Sequence, residues 1–323
     1  MKKIFNKIRN IVAISLLAPI IGFSNEGSKK SDNELRIGYQ KSDPVFIIIK
    51  QNGTLEKKLE SLGIKVSWYE FPAGPQMLEG LNVGSIDFGT VGETPPIFAQ
   101  AANAKIKYIG YKPASPKAEA IVVQENSSIK SVSDLKGKKV ALNKGSNVHY
   151  LLVKALEDAG LKYSDIQPVF LAPSDARAAF QQGSVDAWVI WDPFLSAAET
   201  TIKAKVIKNG ENIVNNYQFY LAEENYAAKN PKVIDEIFKE LKNVDKWVVE
   251  NPKEAAKVLS SVNGLDINAL EIALQRAVFD TDYLNSKVIA DQQKIADTFS
   301  DLKLIPKKLD IKSVVWIPEQ KNK

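Results

Sequence analysis

From residue 35 onward the chain alternates short apolar runs with amphipathic stretches, the pattern of strands interleaved with helices in an α/β protein. Strands are predicted over 35–40, 64–71, 86–91, 106–111, 118–124, 139–142, 168–171, 187–191 and 219–222. Helices are predicted over 46–61, 75–82, 96–102 and 174–182, with a helical turn at 133–137. Lys144, Gly145, Ser146 and Asn147 open a further helix that carries Val148, Leu151, Leu152, Ala155 and Leu156 as its apolar residues and stops at Gly160. From Pro231 the pattern turns helical over 231–249, 252–262, 266–278 and 286–302, and 305–311 reads as an ordered closing segment. Strands 118–124 and 219–222 read as two crossings between lobes, giving one lobe of 34–118 with 222–323 and a second of 119–221.

The stretch 84–100, GSIDFGTVGETPPIFAQ, joins a buried strand to a helix through a turn rich in backbone donors. Gly92 turns without a Cβ clash, and Pro95 and Pro96 fit only a first helical turn, whose N–H groups have no partner inside the helix. Those N–H groups and the positive end of the helix dipole suit a phosphate, sulfate, sulfonate or carboxylate. The plainer interpretation is a capped strand–helix junction. A second copy of the unit argues for the former: Gly84, Ser85, Ile86 and Asp87 are echoed by Gly183, Ser184, Val185 and Asp186. Each quartet is followed by an apolar strand, then an acidic residue and a proline, Glu93 with Pro95 and Asp192 with Pro193. Two such switch points predict two similar lobes whose helix starts face one cleft.

Residues 1–24 change the meaning of the charge. Lys2, Lys3, Lys7 and Arg9, the apolar run 11–23 and the small residues around Ser24 have the form of a cleaved secretory signal peptide, followed by a polar linker over 25–33. Its removal lowers the net charge from +5 to +1, because four of the 43 basic residues and none of the 38 acidic ones lie in it. The basic character belongs mostly to the leader, which argues against a nucleic-acid partner. The chain has no cysteine, so disulfides, thiol catalysis, metal–thiolate sites and a lipidated cysteine are excluded, and a freely diffusing periplasmic protein without a lipid anchor is expected. The sequence shows no hydrolase serine motif, metal-ligand spacing or phosphate-binding loop of the GxxxxGK[ST] kind. Neither a cofactor nor a metal is expected.

The runs LRIGYQK (35–41), FPAGPQMLEGLNVGSIDFG (71–89), PPIFAQAA (95–102), DARAAFQQGSVDAWVIWDPF (175–194) and PKKLDI (306–311) resemble the periplasmic aliphatic sulfonate-binding proteins of ABC importers. The resemblance runs nearly from Leu35 to Trp316. It implies a two-lobed type II periplasmic binding protein fold with two crossing strands and a ligand cleft between the lobes. It further implies a monomer that delivers an alkanesulfonate to an ABC permease and its ATPase at the inner membrane, and performs no chemistry. A sulfonate is a monoanion with three equivalent acceptor oxygens, so two opposed helix starts could balance it without a buried Lys or Arg. Candidate donors are Gly92, Glu93 and Thr94 on one lobe and Gly145, Ser146 and Asn147 on the other, with Gln40 facing the cleft by resemblance. Trp191 offers an indole donor and an apolar face to the tail, and Asp192 either touches ligand or caps the helix begun by Pro193. His149, the only histidine, matches a family position just inside the second helix, as a ligand or as a structural residue. Asn147 and Val148 depart from the family, which often has serines there. Taurine or nitrate as the ligand, and an enzyme resembling the thiamine-pyrimidine synthases, are the alternatives.

Overall fold

The alternation of strands and helices is realised as two sheets with helices packed on them. The computed structural model describes residues 33–317. The segment expected to be a signal peptide, the linker before Asn33, and residues 318–323 lie outside the described residues. A first run comprises β1 (Glu34–Gln40), α1 (Pro44–Asn52), α2 (Thr54–Glu60), β2 (Lys65–Phe71), α3 (Gly74–Asn82), β3 (Phe88–Gly92), α4 (Pro95–Ala101) and β4 (Ile106–Lys112). A second comprises β5 (Glu119–Val123), β6 (Lys139–Leu142), α5 (Asn147–Asp158), β7 (Gln167–Phe170), α6 (Pro173–Gln181), β8 (Ala187–Trp191), α7 (Phe194–Thr201) and β9 (Lys205–Asn209). The third is mainly helical: β10 (Gln218–Glu223), α8 (Glu224–Lys229), α9 (Pro231–Glu250), α10 (Pro252–Asn263), α11 (Ile267–Arg276), β11 (Asp282–Tyr283) and α12 (Ser286–Asp301).

The first and third runs share a six-stranded sheet in the order β11-β4-β10-β3-β1-β2, and the second run builds a five-stranded sheet, β7-β6-β8-β5-β9. β1 pairs in parallel with β2 and β3, and β6 with β7 and β8, while β10 and β5 run antiparallel to their neighbours. These two antiparallel strands are the expected crossings. β5 takes the chain into the second sheet and β10 returns it to the first.

Three expectations need correction. The helix predicted over 46–61 is two helices, because Gly53 at φ 60° donates its N–H to Ile49 O and ends α1 in the left-handed conformation. The helix predicted over 266–278 stops at Arg276, where the backbone turns extended at Ala277. Strands β9 and β11 and helix α8 were not predicted; all are short, and none has a strong period of its own.

The sequence repeat is a structural repeat. Gly84 and Gly183 both take positive φ, 68° and 70°, after a helix. Three residues on, Asp87 accepts the backbone N–H of Arg36 at 3.0 Å and Asp186 that of Lys139 at 2.7 Å, each tying its strand to the start of the first parallel strand of its sheet. Asp87 also holds the Arg36 guanidinium at 3.0 and 2.9 Å in a fork. The quartets therefore lie at the opposite strand ends from the cleft, and their acids are structural. One apolar cluster joins residues of both sheets, Val91, Phe219 and Leu221 with Ile121 and Val189, and takes in Leu151 of α5. A second packs α1, α9, α10 and α11 on the six-stranded sheet, and a third covers the other face of the five-stranded sheet around Phe180 and Trp188. The closing segment is ordered as expected: Ile311 is buried and Trp316 donates its N–H to Tyr108 O at 2.9 Å.

Candidate functional site

The carboxyl ends of β1, β3, β4 and β8, with the amino end of antiparallel β10, bring Gln40, Gly92, Lys112, Trp191 and Gln218 to one cavity. Ligands of open α/β sheets bind at this end of the strands. Helix starts gather there too, at Pro44 of α1, Pro95 of α4, Asn147 of α5 and Pro193 just before α7. The two copies of the repeat thus aim their proline-marked helix starts into one space, as the sequence predicted. The opposite wall is apolar, made by Leu259 of α10 and Leu270, Ala273 and Leu274 of α11. The cavity measures about 130 Å³, close to the engineered cavity of about 150 Å³ that holds benzene. Its size therefore suits a small molecule with a short tail.

Of the ten residues singled out from sequence, Gln40, Gly92, Ser146, Asn147, Trp191 and Asp192 line this cavity. Gln40 donates Nε2 to Thr90 O at 3.1 Å, which fixes its amide. Ser146 precedes α5, but its hydroxyl donates to Asn143 O at 2.7 Å and does not cap the helix. The His149 N–H in this first turn already donates to Ser146 O at 2.9 Å, so the donors left for an anion at this start are the backbone N–H groups of Asn147 and Val148, which have no intrahelical acceptors. Asn147 crosses to the other sheet: its Oδ1 accepts from Thr94 N at 3.1 Å, and its Nδ2 donates to Asn216 Oδ1 at 2.6 Å. Asp192 accepts from Ser196 N at 2.9 Å through Oδ1, which realises the capping role, while Oδ2 lies 3.5 Å from Arg276 Nη1 of α11. Burial pushes the Asp192 carboxyl up to about 6, against the opposing pull of Arg276.

Glu93, Thr94, Gly145 and His149 do not line the cavity. Glu93 is fully buried and accepts from Tyr217 N at 2.8 Å; burial, partly offset by the backbone N–H bonds, raises it to about 7. Gly145, at φ 74°, donates its N–H to His149 Nδ1 at 3.3 Å, so the proton of a neutral ring sits on Nε2. His149 stacks on Phe98 with centroids 6.3 Å apart and also meets Tyr163, Phe170 and Phe299. Burial among these rings, then the Lys144 charge, lowers it to about 4. It is placed as a structural residue.

A cation without a sequence signal of its own also reaches the cavity. Lys112 ends β4, is 7% exposed, lines the cavity and sets its Nζ 4.7 Å from the centre of the Phe279 ring. The expectation of charge balance without a buried Lys or Arg is corrected accordingly. Asp43 also lines the cavity; burial raises its carboxyl and the Lys112 charge counters this. Asn216, from the segment between β9 and β10, completes the polar wall. Lys112 stands just past the strand predicted over 106–111, with no periodicity to announce its burial.

Strand ends and helix starts around one cleft, with a polar side and an apolar side, define a substrate-binding protein of the two-lobed α/β class. Residues 60–255 match the family described as NMT1/THI5 like. A relative from Escherichia coli (strain K12), provisionally described as an aliphatic sulfonates-binding protein, is 46% identical over 97% of this chain and 98% of its own. The alkanesulfonate-binding protein SsuA from Xanthomonas axonopodis pv. citri, solved bound to MOPS, superposes with a TM-score of 0.85 at 41% identity, over 88% of this chain and 98% of its own. The taurine-binding periplasmic protein of Escherichia coli (strain K12) is more distant, 26% identical over 67% of each chain. The chain belongs to the family of the aliphatic sulfonates-binding proteins. The fold expected from sequence, two α/β lobes about a cleft, is borne out.

Proposed function

We propose that the protein captures an aliphatic sulfonate in the cavity between its two sheets and hands it to an ABC permease for sulfur acquisition. The observation that carries this reading is the division of one cavity into an anion-suited side and an apolar side. Uncapped N–H groups at the start of α5 stand on the first, and Trp191 with the α10 and α11 leucines on the second. A sulfonate needs several donors around a single charge, and its tail needs an apolar surface. The names of the similar proteins point the same way. The lobes, 34–118 with 222–323 and 119–221, close on the ligand, and the protein acts as a periplasmic monomer exported by residues 1–24, without a lipid anchor. It binds and releases, and the permease with its ATPase at the inner membrane does the work of transport. No reaction is assigned to it.

Calorimetric titration of the mature protein with methane-, ethane-, butane- and hexanesulfonate tests this. Affinity is expected to rise by about 0.8 kcal/mol for each methylene fully buried and to level off once the tail fills the cavity. Sulfate has no tail to place on the apolar wall and is expected to bind more weakly than butanesulfonate. Tighter binding of sulfate would overturn the reading. Taurine as the best ligand of the set would keep the fold and replace the substrate.

A further inference from the structure

The cavity wall also holds two opposite charges, Lys112 and Asp43, which feel each other's field but form no ion pair among the described residues. Lys112 has no carboxylate within ion-pair distance and makes no side-chain hydrogen bond among the described residues; its ammonium rests on the Phe279 ring. Asp43 is bound on one side only. Its Oδ1 caps α1, accepting from Val45 N at 3.0 Å and Phe46 N at 3.3 Å, while its Oδ2 is buried with no partner among the described residues. Both residues line the cavity. Of the other nearby charges, Lys41 lies 3.4 Å from Glu70, Asp192 faces Arg276, and Asp245, which does not line the cavity, accepts from Thr281 N at 2.7 Å through Oδ2 while its buried Oδ1 has no partner among the described residues. A buried donor and a buried acceptor are thus left to be satisfied by whatever enters.

We infer that Lys112 and Asp43 select the tail of the ligand, favouring a sulfonate whose tail carries a neutral group that both donates and accepts, a hydroxyl above all. This rests on the sulfonate reading and specifies its substrate class. A tail ammonium gains Asp43 but meets Lys112, and a tail carboxylate gains Lys112 but meets Asp43. A hydroxyl accepts from the ammonium and donates to the carboxylate without adding charge, and an unsubstituted tail leaves both buried groups unanswered. Lys112 is then a specificity-determining residue, and the ordinary aminoalkanesulfonates are poor ligands despite the two acids in the cavity wall.

Four ligands of equal chain length separate these cases: propanesulfonate, 3-hydroxypropanesulfonate, 3-aminopropanesulfonate and 3-sulfopropanoate. They are titrated at pH 7.5 into the mature protein, Lys112→Met and Asp43→Asn, with propanesulfonate as the reference in each, so that general damage cancels from the ratios. The native protein is expected to bind the hydroxyl compound about tenfold tighter than propanesulfonate, and both charged compounds more weakly than it. Lys112→Met should remove most of the hydroxyl advantage and move the amine ahead of the carboxylate; Asp43→Asn, which retains the capping oxygen, should move the carboxylate ahead of the amine. A hydroxyl compound no tighter than propanesulfonate in the native protein, or an unchanged order of amine and carboxylate in both variants, would overturn the selectivity while leaving the sulfonate reading standing. Failure of all four to bind the native protein would overturn the sulfonate reading, and this inference with it.

Discussion

Asn147 and Thr94 meet across the two sheets, with the Asn147 side-chain oxygen 3.1 Å from the Thr94 backbone nitrogen. The Thr94 N–H is one of the donors that the sequence assigns to an anion, and here a side-chain amide holds it. Asn147 in turn donates to Asn216, and Asn216 Nδ2 donates to Ser115 O at 3.0 Å, so a row of amides ties the start of α5 to the chain segments that join the sheets. All of these groups are at least half-buried, where an unmet donor costs more than an exposed one.

Asn147→Ala removes the acceptor of Thr94 N–H and the donor of Asn216 Oδ1 together. The ligand-free protein is expected to lose about 1 to 3 kcal/mol of stability, read from urea unfolding at pH 7.5. An unchanged midpoint and slope would show that the amide row contributes nothing.

Gly92 has a related constraint. A Cβ placed there would lie 2.1 Å from Asn147 Oδ1, so Gly92→Ala must push the amide away. The penalty should fall sharply once that amide is gone. In a double-mutant cycle, Gly92→Ala and Asn147→Ala are expected to be less than additive, with a coupling of about 0.5 to 3 kcal/mol. Strict additivity would mean that the glycine is needed for another reason.

Thr94 and Ser146 separate a hydroxyl that does nothing from one that is bonded. Thr94 Oγ1 is buried without a partner among the described residues, so Thr94→Val replaces an unmet polar group with a methyl. It is expected to leave sulfonate affinity unchanged and stability equal or higher. Ser146→Ala loses the bond to Asn143 O and should cost about 1 kcal/mol of stability, with little effect on affinity because the hydroxyl proton already has an acceptor. A tenfold weaker affinity in Thr94→Val, measured by calorimetry, would put that hydroxyl back in the ligand's shell.

The parts of the fold that were legible in sequence are those with a local cause. Proline at a helix start, glycine at a helix end and a short apolar strand between them give the two repeat units and most element limits, since each depends on neighbours in the chain. Gly53 shows the edge of that logic: the apolar period runs through it, and only its backbone conformation divides α1 from α2. The cavity was half legible. Gly92, Ser146, Asn147, Trp191 and Asp192 sit at strand ends or helix starts, which sequence marks. Lys112 and Asp43 owe their roles to α11 and the 277–281 segment, folded over them from more than 150 residues away, and nothing near them in sequence records that cover. Glu93 was misplaced for the converse reason: an acid in a first turn suggests exposure, yet Tyr217 and α12 bury it.

That burial gives Glu93 a measurable signature. Its carboxyl rises from 4.5 to about 7 in the folded protein, first through burial and against the N–H of Tyr217, with Asp291 adding to the rise. Below pH 4.5 the group is protonated folded or unfolded and contributes no pH dependence. Between 4.5 and 7 the unfolded chain has released the proton and the folded one retains it, so stability falls as pH rises through this window and is level above it. The full difference is on the order of 3 kcal/mol. Glu93→Gln keeps an oxygen for Tyr217 N–H and cannot titrate, so its stability relative to the native protein should improve by that order between pH 4.5 and 8. His149, lowered to about 4, acts in the opposite sense, since stability is lost as pH falls from its ordinary 6.5 toward that value; it is present in both proteins and cancels from their difference. Parallel stability curves for the two proteins, from urea unfolding at several pH values, would show that the folded protein carries Glu93 ionised and that its acceptor bond, not its proton, sets its environment.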